Sequence, residues 1–294
     1  MNFKNQKRIF TRQNFLYNTR FIRMIFIMIF FIFNCRLSQE ITKNNLQFDS
    51  ERNKDSFTIT EFNASGHKVI ILFAPSIWKA EILFEKNHSL IPYLAKFGYR
   101  VYLVQIISHD KHHEKSSTAL QEILKTKSII EYDLGGVSTG GWYLTQIYKD
   151  WPRDRPQAKK IFFLASGLDY NYEKSFPSVY KAFQVNENNK PYPQYFIDPS
   201  LDSYWLGAKI EPIVPRGDLD LPQEIPLAFF WGKIDSISPG ESIYPVYEKI
   251  KNPKLWKELS IANGHSKDYD HGNLLLDQET KDDVYSEIVS WLND

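Results

Sequence analysis

The stretch LGGVSTGG, residues 134–141, places Ser138 between two pairs of glycines. A β-branched run, which favours a strand, precedes this stretch. An aromatic segment in which a helical pattern begins follows it. A serine on such a tight strand-to-helix turn is held in an unfavourable backbone conformation, and Gly136 and Gly140, two positions away on either side, need to lack side chains. The turn would hold the hydroxyl at a helix N-terminus, where backbone N–H groups favour a developing negative charge. We therefore expect Ser138 to be a nucleophile, and the alternative is a glycine-rich loop that only reverses the chain.

Strand-like and helix-like segments alternate on both sides of this stretch. Continuous apolar runs predict buried strands, and apolar residues spaced three and four apart predict helices. The predicted strands are at 56–60, 67–74, 99–107, 128–134, 159–166, 226–232 and 255–261, and the predicted helices are at 89–98, 118–127, 142–148, 241–250 and 280–292. This order predicts an α/β fold with a mostly parallel central sheet covered by helices on both faces.

One internal segment, residues 167–221, breaks the alternation. It holds ten aromatic residues among prolines and asparagines and has only short helical patterns. An insertion of this composition is typical of a small cap over one edge of a sheet. Its aromatic side chains are candidates to receive an apolar substrate, and the alternative is that they form the core of the cap itself.

The first 35 residues have the pattern of an export signal. Residues 1–23 carry six basic residues and no acid, and ten uninterrupted apolar residues follow at 24–33. Ten residues are too few to cross about 30 Å of hydrocarbon as a helix, but they match the apolar core of a secretory signal peptide. Residues 36–55 are polar and predict a tether, so the globular domain is expected to span residues 56–294.

Cys35 is the only cysteine of the chain, so no intramolecular disulfide is expected. A sole cysteine just beyond the apolar core resembles a bacterial lipoprotein signal, in which that cysteine is lipidated. The residues before Cys35 are larger than that pattern requires. Lipidation, an uncleaved signal anchor beginning near Phe21 and ordinary signal cleavage therefore remain alternatives, and each predicts an exported protein, membrane-associated in the first two cases and otherwise periplasmic or secreted.

The charge balance gives no reason to expect a nucleic-acid partner. Beyond residue 23, 30 basic residues face 35 acidic ones. A mildly acidic body lacks the positive surface that attracts a phosphate backbone.

The pentapeptide Gly136-Val137-Ser138-Thr139-Gly140, extended by a further glycine, resembles the nucleophile elbow of the α/β-hydrolase superfamily. That resemblance implies the α/β-hydrolase fold, with strand, turn and helix in the order found here. It also implies a serine hydrolase, whose weak hydroxyl nucleophile requires a base and an orienting acid later in the chain.

The segment FFWGKIDSISPG resembles the superfamily's Gly-x-x-Asp turn after its penultimate strand, which makes Asp235 the expected acid. An aspartate capping the next helix is the alternative reading. Asp169, just after the predicted strand 159–166, is a second candidate because some members of the superfamily take their acid from that position.

Two histidines near the C-terminus are candidates for the base. His265 follows a predicted strand and a glycine, 30 residues after Asp235. His271 begins a short apolar run before the last helix, and this tail resembles the C-terminal end of acid lipases and related hydrolases. We prefer His271, which makes His265 a loop histidine or a partner of the triad.

The oxyanion hole is expected to use the backbone N–H of Thr139 and a second donor from the loop after the predicted strand 67–74. Pro75 in that loop has no N–H, so Ser76 is the expected donor. This part of the chain resembles the polyester synthase and depolymerase branch of the superfamily. Synthases of that branch carry cysteine at the elbow, so Ser138 favours hydrolysis.

No cofactor or metal is expected. His109, His112 and His113 lie in a predicted polar loop without a strict ligand spacing, which favours a solvated loop. The sequence thus predicts an exported, membrane-associated serine hydrolase acting on a small-molecule or lipid ester. The alternative is a catalytically inactive lipoprotein of the same fold that serves as a binding module.

Overall fold

The centre of the computed structural model is one eight-stranded sheet, in which strands pair in the order β1-β2-β4-β3-β5-β6-β7-β8. The structure describes residues 43–46, 57–75, 79–106, 112–148, 151–166 and 223–294. The strands are β1 Lys43–Leu46, β2 Phe57–Phe62, β3 Lys68–Phe73, β4 Tyr99–Ile106, β5 Asp133–Val137, β6 Ile161–Leu164, β7 Leu227–Gly232 and β8 Lys254–Leu259.

Six of the eight strands, β3 to β8, run parallel to one another. β1 pairs with β2 and β2 with β4 in antiparallel orientation, whereas every pair from β4 to β8 is parallel. All residues of β6 and β7 are buried, so both faces of the sheet are covered at these two strands. The predicted α/β class with a mostly parallel sheet is therefore confirmed.

The described ranges contain six α-helices. They are α1 Leu90–Lys96, α2 His112–Lys127, α3 Thr139–Ile147, α4 Gly240–Lys249, α5 Asn273–Leu276 and α6 Ser286–Asn293. A π-helical turn, Lys281–Tyr285, runs directly into α6. Within the described ranges, no helix has both the length and the apolar character needed to cross a membrane.

Three predicted boundaries differ from the structure. Strand β1 at Lys43–Leu46 pairs with β2, so the sheet begins inside the segment predicted as a tether. Helix α2 begins at His112, so the predicted polar loop is shorter and the prediction is wrong for His112 and His113. A helix can begin in a polar segment because its exposed turns need no apolar residues.

The third difference concerns β5, which the sequence places at 128–134 and the structure at Asp133–Val137. The strand includes Gly135, whose missing side chain leaves room for its neighbours. A Cβ on Gly135 would lie 2.4 Å from the Phe162 ring and 2.5 Å from Leu72. Glycine is a poor strand former by propensity, and the packing of the sheet centre overrides that preference here.

The amino edge of the parallel sheet carries a partly buried carboxyl group. Asp133 opens β5, and burial raises its pKa to about 6, although Lys159, Lys160 and Lys68 nearby favour the charged form. The end of α6 lies at the same edge, where the Lys160 ammonium donates to the Trp291 carbonyl at 2.6 Å.

Candidate active site

Ser138 lies on the turn between β5 and α3. Its backbone has φ 51° and ψ −122°, a left-handed conformation that is unfavourable for a residue with a side chain. Two backbone hydrogen bonds hold the turn, one from the Ser138 N–H to the Leu164 carbonyl at 2.9 Å and one from the Gly141 N–H to the Ser138 carbonyl at 3.0 Å. The residue is 4% exposed, so the hydroxyl lies in a water-poor environment.

The glycines around Ser138 permit close backbone contacts. A Cβ on Gly136 would lie 2.3 Å from the Gly141 Cα, and one on Gly140 would lie 2.0 Å from the Phe73 carbonyl oxygen. Backbone atoms cannot move aside as a flexible side chain can. Gly136 and Gly140 are thus required by sterics, as the sequence predicts, and Gly140 also brings the end of β3 against the first turn of α3.

Asp235 lies in the turn after β7 with its side chain fully buried. Its Oδ1 accepts hydrogen bonds from the backbone N–H groups of Ile237 at 2.9 Å and Ser238 at 2.8 Å. These two bonds fix the carboxylate and direct Oδ2 toward His271. The helix after this turn has Pro239 as its N-cap residue, so Asp235 does not cap it.

His271 lies between the other two side chains at the end of the loop after β8. Its Nδ1 is 2.8 Å from Asp235 Oδ2, and its Nε2 is 2.8 Å from Ser138 Oγ. Because the Asp235 carboxylate can only accept, Nδ1 carries a proton and Nε2 has a lone pair for the Ser138 hydroxyl. The three predicted residues therefore form one buried chain of hydrogen bonds.

His265, the other candidate base, is directed elsewhere. Its side chain is 3% exposed, and its Nε2 lies 3.2 Å from Glu287 Oε1 on α6. Its Nδ1 lies 3.1 Å from the Ser260 carbonyl oxygen. His265 contacts the loop backbone and the last helix, whereas Ser138 contacts His271.

For the oxyanion hole, the structure describes one of the two predicted donors. Thr139 is the first residue of α3, directly after Ser138, so its N–H lies at a helix N-terminus. Ser76 lies outside the described residues, as do Cys35, Asp169, His109 and the predicted cap at 167–221. Across the described part of the chain, no group of three or more His, Cys, Asp or Glu side chains is arranged to hold a metal ion.

The sequence did not reveal which groups orient the acid. The backbone N–H groups that hold Asp235 belong to a local Asx-type turn, for which an aspartate followed by small polar residues is the available signal. A second contact that holds the Asp235 turn comes from a distant part of the chain. The Tyr269 carbonyl accepts a hydrogen bond from the Ile234 N–H at 3.1 Å.

No family model matches the chain, and no curated protein matches it in sequence. Solved structures do match in three dimensions. Carboxyl esterase 2 from the mycorrhizal fungus Tuber melanosporum is 16% identical, with a TM-score of 0.58 and coverage of 87% of this chain and 86% of its own. An esterase from Exiguobacterium antarcticum is 15% identical, with a TM-score of 0.56 and coverage of 81% and 96%.

A third match is a bacterial membrane phospholipase A described as a virulence factor. It is 12% identical, with a TM-score of 0.56, and the alignment covers 98% of this chain and 99% of that one. Identities this low establish the fold alone. Together with the strand order and the turn at Ser138, they show that this chain has the α/β-hydrolase fold.

Proposed function

We propose that the protein is a serine hydrolase that cleaves carboxylic esters with an apolar acyl part. The observation that carries the proposal is the chain of hydrogen bonds from Ser138 through His271 to Asp235, with 2.8 Å at each step. A buried serine, a histidine whose Nε2 can accept the serine proton, and a carboxylate in this order are the groups that nucleophilic acyl transfer requires.

In the first half of the reaction, Ser138 Oγ attacks the ester carbonyl while His271 Nε2 takes its proton. The imidazolium that forms is stabilised by the Asp235 carboxylate, which also keeps the ring in the required tautomer. The His271 Nε2–H then gives its proton to the leaving alkoxide, and the acyl group remains on Ser138 as an ester. In the second half, His271 removes a proton from water, and the resulting attack releases the carboxylic acid.

The developing negative charge on the carbonyl oxygen requires fixed donors. The Thr139 N–H and the Ser76 N–H are the two proposed donors. Ser138 directly precedes α3, so the reacting carbonyl would lie near the N-terminus of that helix. The helix dipole there favours the negative charge that develops on the carbonyl oxygen.

Two observations support esters as the substrate class. The matched solved structures include proteins named as esterases and one named as a phospholipase. The ten aromatic residues of 167–221 provide apolar surface for an acyl chain if that segment covers the site.

The proposal is tested with a series of p-nitrophenyl esters of increasing acyl length. We expect the wild-type protein to hydrolyse at least one of them and Ser138→Ala to hydrolyse none. The matched control is Ser166→Ala, which removes another buried serine hydroxyl whose partners are the Gly136 and Leu164 carbonyls. Absence of turnover by the wild type, combined with binding of an ester analogue, would favour the inactive binding module instead.

We also propose that the protein is exported and held at a membrane through residues 1–35. The proposal rests on their basic start, their apolar core and Cys35. Metabolic labelling with a palmitate analogue tests lipidation. We expect label on the wild-type protein and none on Cys35→Ser, and equal labelling of both would exclude Cys35 as the acceptor.

A further inference from the structure

The loop of residues 260–271, termed the base loop, carries His271 from the end of β8 to α5. A carboxylate outside the loop holds it. Asp283 Oδ2 accepts hydrogen bonds from the Ser266 N–H at 2.7 Å, the Ser266 hydroxyl at 2.5 Å and the Tyr269 hydroxyl at 2.7 Å. Asp283 belongs to the turn Lys281–Tyr285, so these three bonds fasten the base loop to the start of the last helix.

The charge of Asp283 strengthens these bonds. Burial raises the pKa of Asp283, but the hydrogen bonds from Ser266 and Tyr269 and the nearby His265 outweigh it, so that the pKa lies below its usual value. The group is therefore a carboxylate at neutral pH. Hydrogen bonds to an ionised acceptor are about twice as strong as those between neutral groups.

Tyr269 connects the base loop to the turn that holds the acid. Its side chain is fully buried, and its carbonyl accepts from the N–H of Ile234, the residue before Asp235. Gly232 makes this contact tight, because a Cβ there would lie 2.2 Å from the Tyr269 carbonyl oxygen. A displacement of Tyr269 would therefore move both the loop that carries His271 and the turn that carries Asp235. The distance between the two side chains would change.

We propose that Asp283 is a positioning residue that, through Ser266 and Tyr269, aligns His271 with Asp235 and Ser138. It acts through these two residues and is not itself a catalytic group. The carboxylate fixes the side chain of Tyr269, the Tyr269 backbone fixes the Asp235 turn, and the geometry of the proton transfer depends on both. The expected effect on kcat rests on the proposed function, whereas the alignment of His271 with Asp235 does not.

The kinetic test compares Asp283→Asn with Asp282→Asn. Asp282→Asn is the matched control, because it removes the same charge from a neighbouring side chain that is 75% exposed. Since a misalignment of about 1 Å costs on the order of a hundredfold in rate, we expect kcat of Asp283→Asn to fall tenfold to about a hundredfold with KM nearly unchanged. Asp282→Asn should retain wild-type kcat.

A second variant keeps the test decisive if Asp283→Asn does not fold. Tyr269→Phe removes one of the three hydrogen bonds and leaves the backbone contact with Ile234. We expect a smaller loss of kcat than in Asp283→Asn, again with KM unchanged. A folded Asp283→Asn with wild-type kcat would overturn the proposal. If Asp283→Asn does not fold, wild-type kcat in Tyr269→Phe would overturn it.

A spectroscopic readout separates this inference from the proposed function. The proton in the buried His271–Asp235 hydrogen bond should give a low-field NMR resonance that disappears in Asp235→Asn. We expect that resonance to shift or broaden in folded Asp283→Asn and to stay unchanged in Asp282→Asn. An unchanged resonance in Asp283→Asn would refute the positioning role. If the wild type hydrolysed no ester, the hydrolase proposal would fail while this comparison would still decide the role of Asp283.

Discussion

The two ends of strand β5 each carry a polar residue, and the two residues have different surroundings. Ser138, just beyond the carboxyl end, is in a directed chain of hydrogen bonds with His271 and Asp235. Asp133, at the amino end, is influenced by three lysines through charge, and burial keeps its pKa raised to about 6. Four residues of one strand, 134–137, thus lie between the proposed nucleophile and a carboxyl group whose pKa is raised by burial.

The difference follows from which loops meet at each edge. The carboxyl ends of β5, β7 and β8 bring the turns that carry Ser138, Asp235 and His271 to one edge of the sheet. In open parallel sheets this edge is where ligands bind. The amino edge receives the end of α6, whose backbone carbonyl pairs with Lys160. The largest losses of activity are therefore expected from changes at the carboxyl edge.

The largest effect is expected at the carboxyl edge, from His271→Ala. Loss of the base leaves the Ser138 hydroxyl without a proton acceptor, so ester turnover should fall by at least about a thousandfold. Stopped-flow or steady-state measurement of p-nitrophenyl ester hydrolysis checks this. Turnover within tenfold of wild type would remove His271 from the mechanism.

The next effect is steric and concerns the same edge. Gly140→Ala places a methyl group against the Phe73 carbonyl, which should lower the free energy of unfolding by about 3 kcal/mol. Gly264→Ala is the control, because it has φ 91° but no atom within 4 Å of the added Cβ, so only a conformational cost of about 1 kcal/mol applies. Urea denaturation measures both, and equal losses would show that close packing around Ser138 is unimportant.

A third change probes the amino edge through pH. The folded-state pKa of Asp133, about 6, lies above its ordinary value of 3.8, so folding favours the protonated acid. Its contribution to the free energy of unfolding is therefore lost as pH rises from about 4 to about 6. Relative to wild type, Asp133→Asn should gain about 2 kcal/mol of stability between pH 4 and pH 7. A difference that does not change with pH would contradict the raised pKa.

Only a small effect on activity is expected for His265→Ala. His265 contacts Ser260 and Glu287, while the hydrogen bonds of Asp283 to the base loop remain in the variant. Ester turnover should stay within about tenfold of wild type even if the protein is less stable. A loss as large as that of His271→Ala would reverse the assignment of the two histidines.

Much of the architecture follows from local sequence. Apolar runs locate the parallel strands other than β5, and the glycine pattern around Ser138 locates the turn, because both signals lie within a few residues. The order of Ser138, Asp235 and His271 along the chain is also readable, and the structure places these three side chains within hydrogen-bonding distance.

Contacts between segments far apart in the chain could not be predicted from the sequence. The strand at Lys43–Leu46 exists because β2 offers it a partner, and β5 runs through Gly135 because its neighbours fill the space. The bonds of Asp283 join residues 14 and 17 positions apart, and nothing in the local sequence marks them. Such details depend on tertiary packing, which local propensities do not encode.

The central claim, that Ser138 is an activated nucleophile, is tested most directly by labelling with a fluorophosphonate probe and locating the adduct by mass spectrometry. We expect one adduct on the wild-type protein, carried by Ser138, and none on Ser138→Ala or His271→Ala. An unlabelled wild-type protein, or an adduct on a different serine such as Ser166, would contradict it.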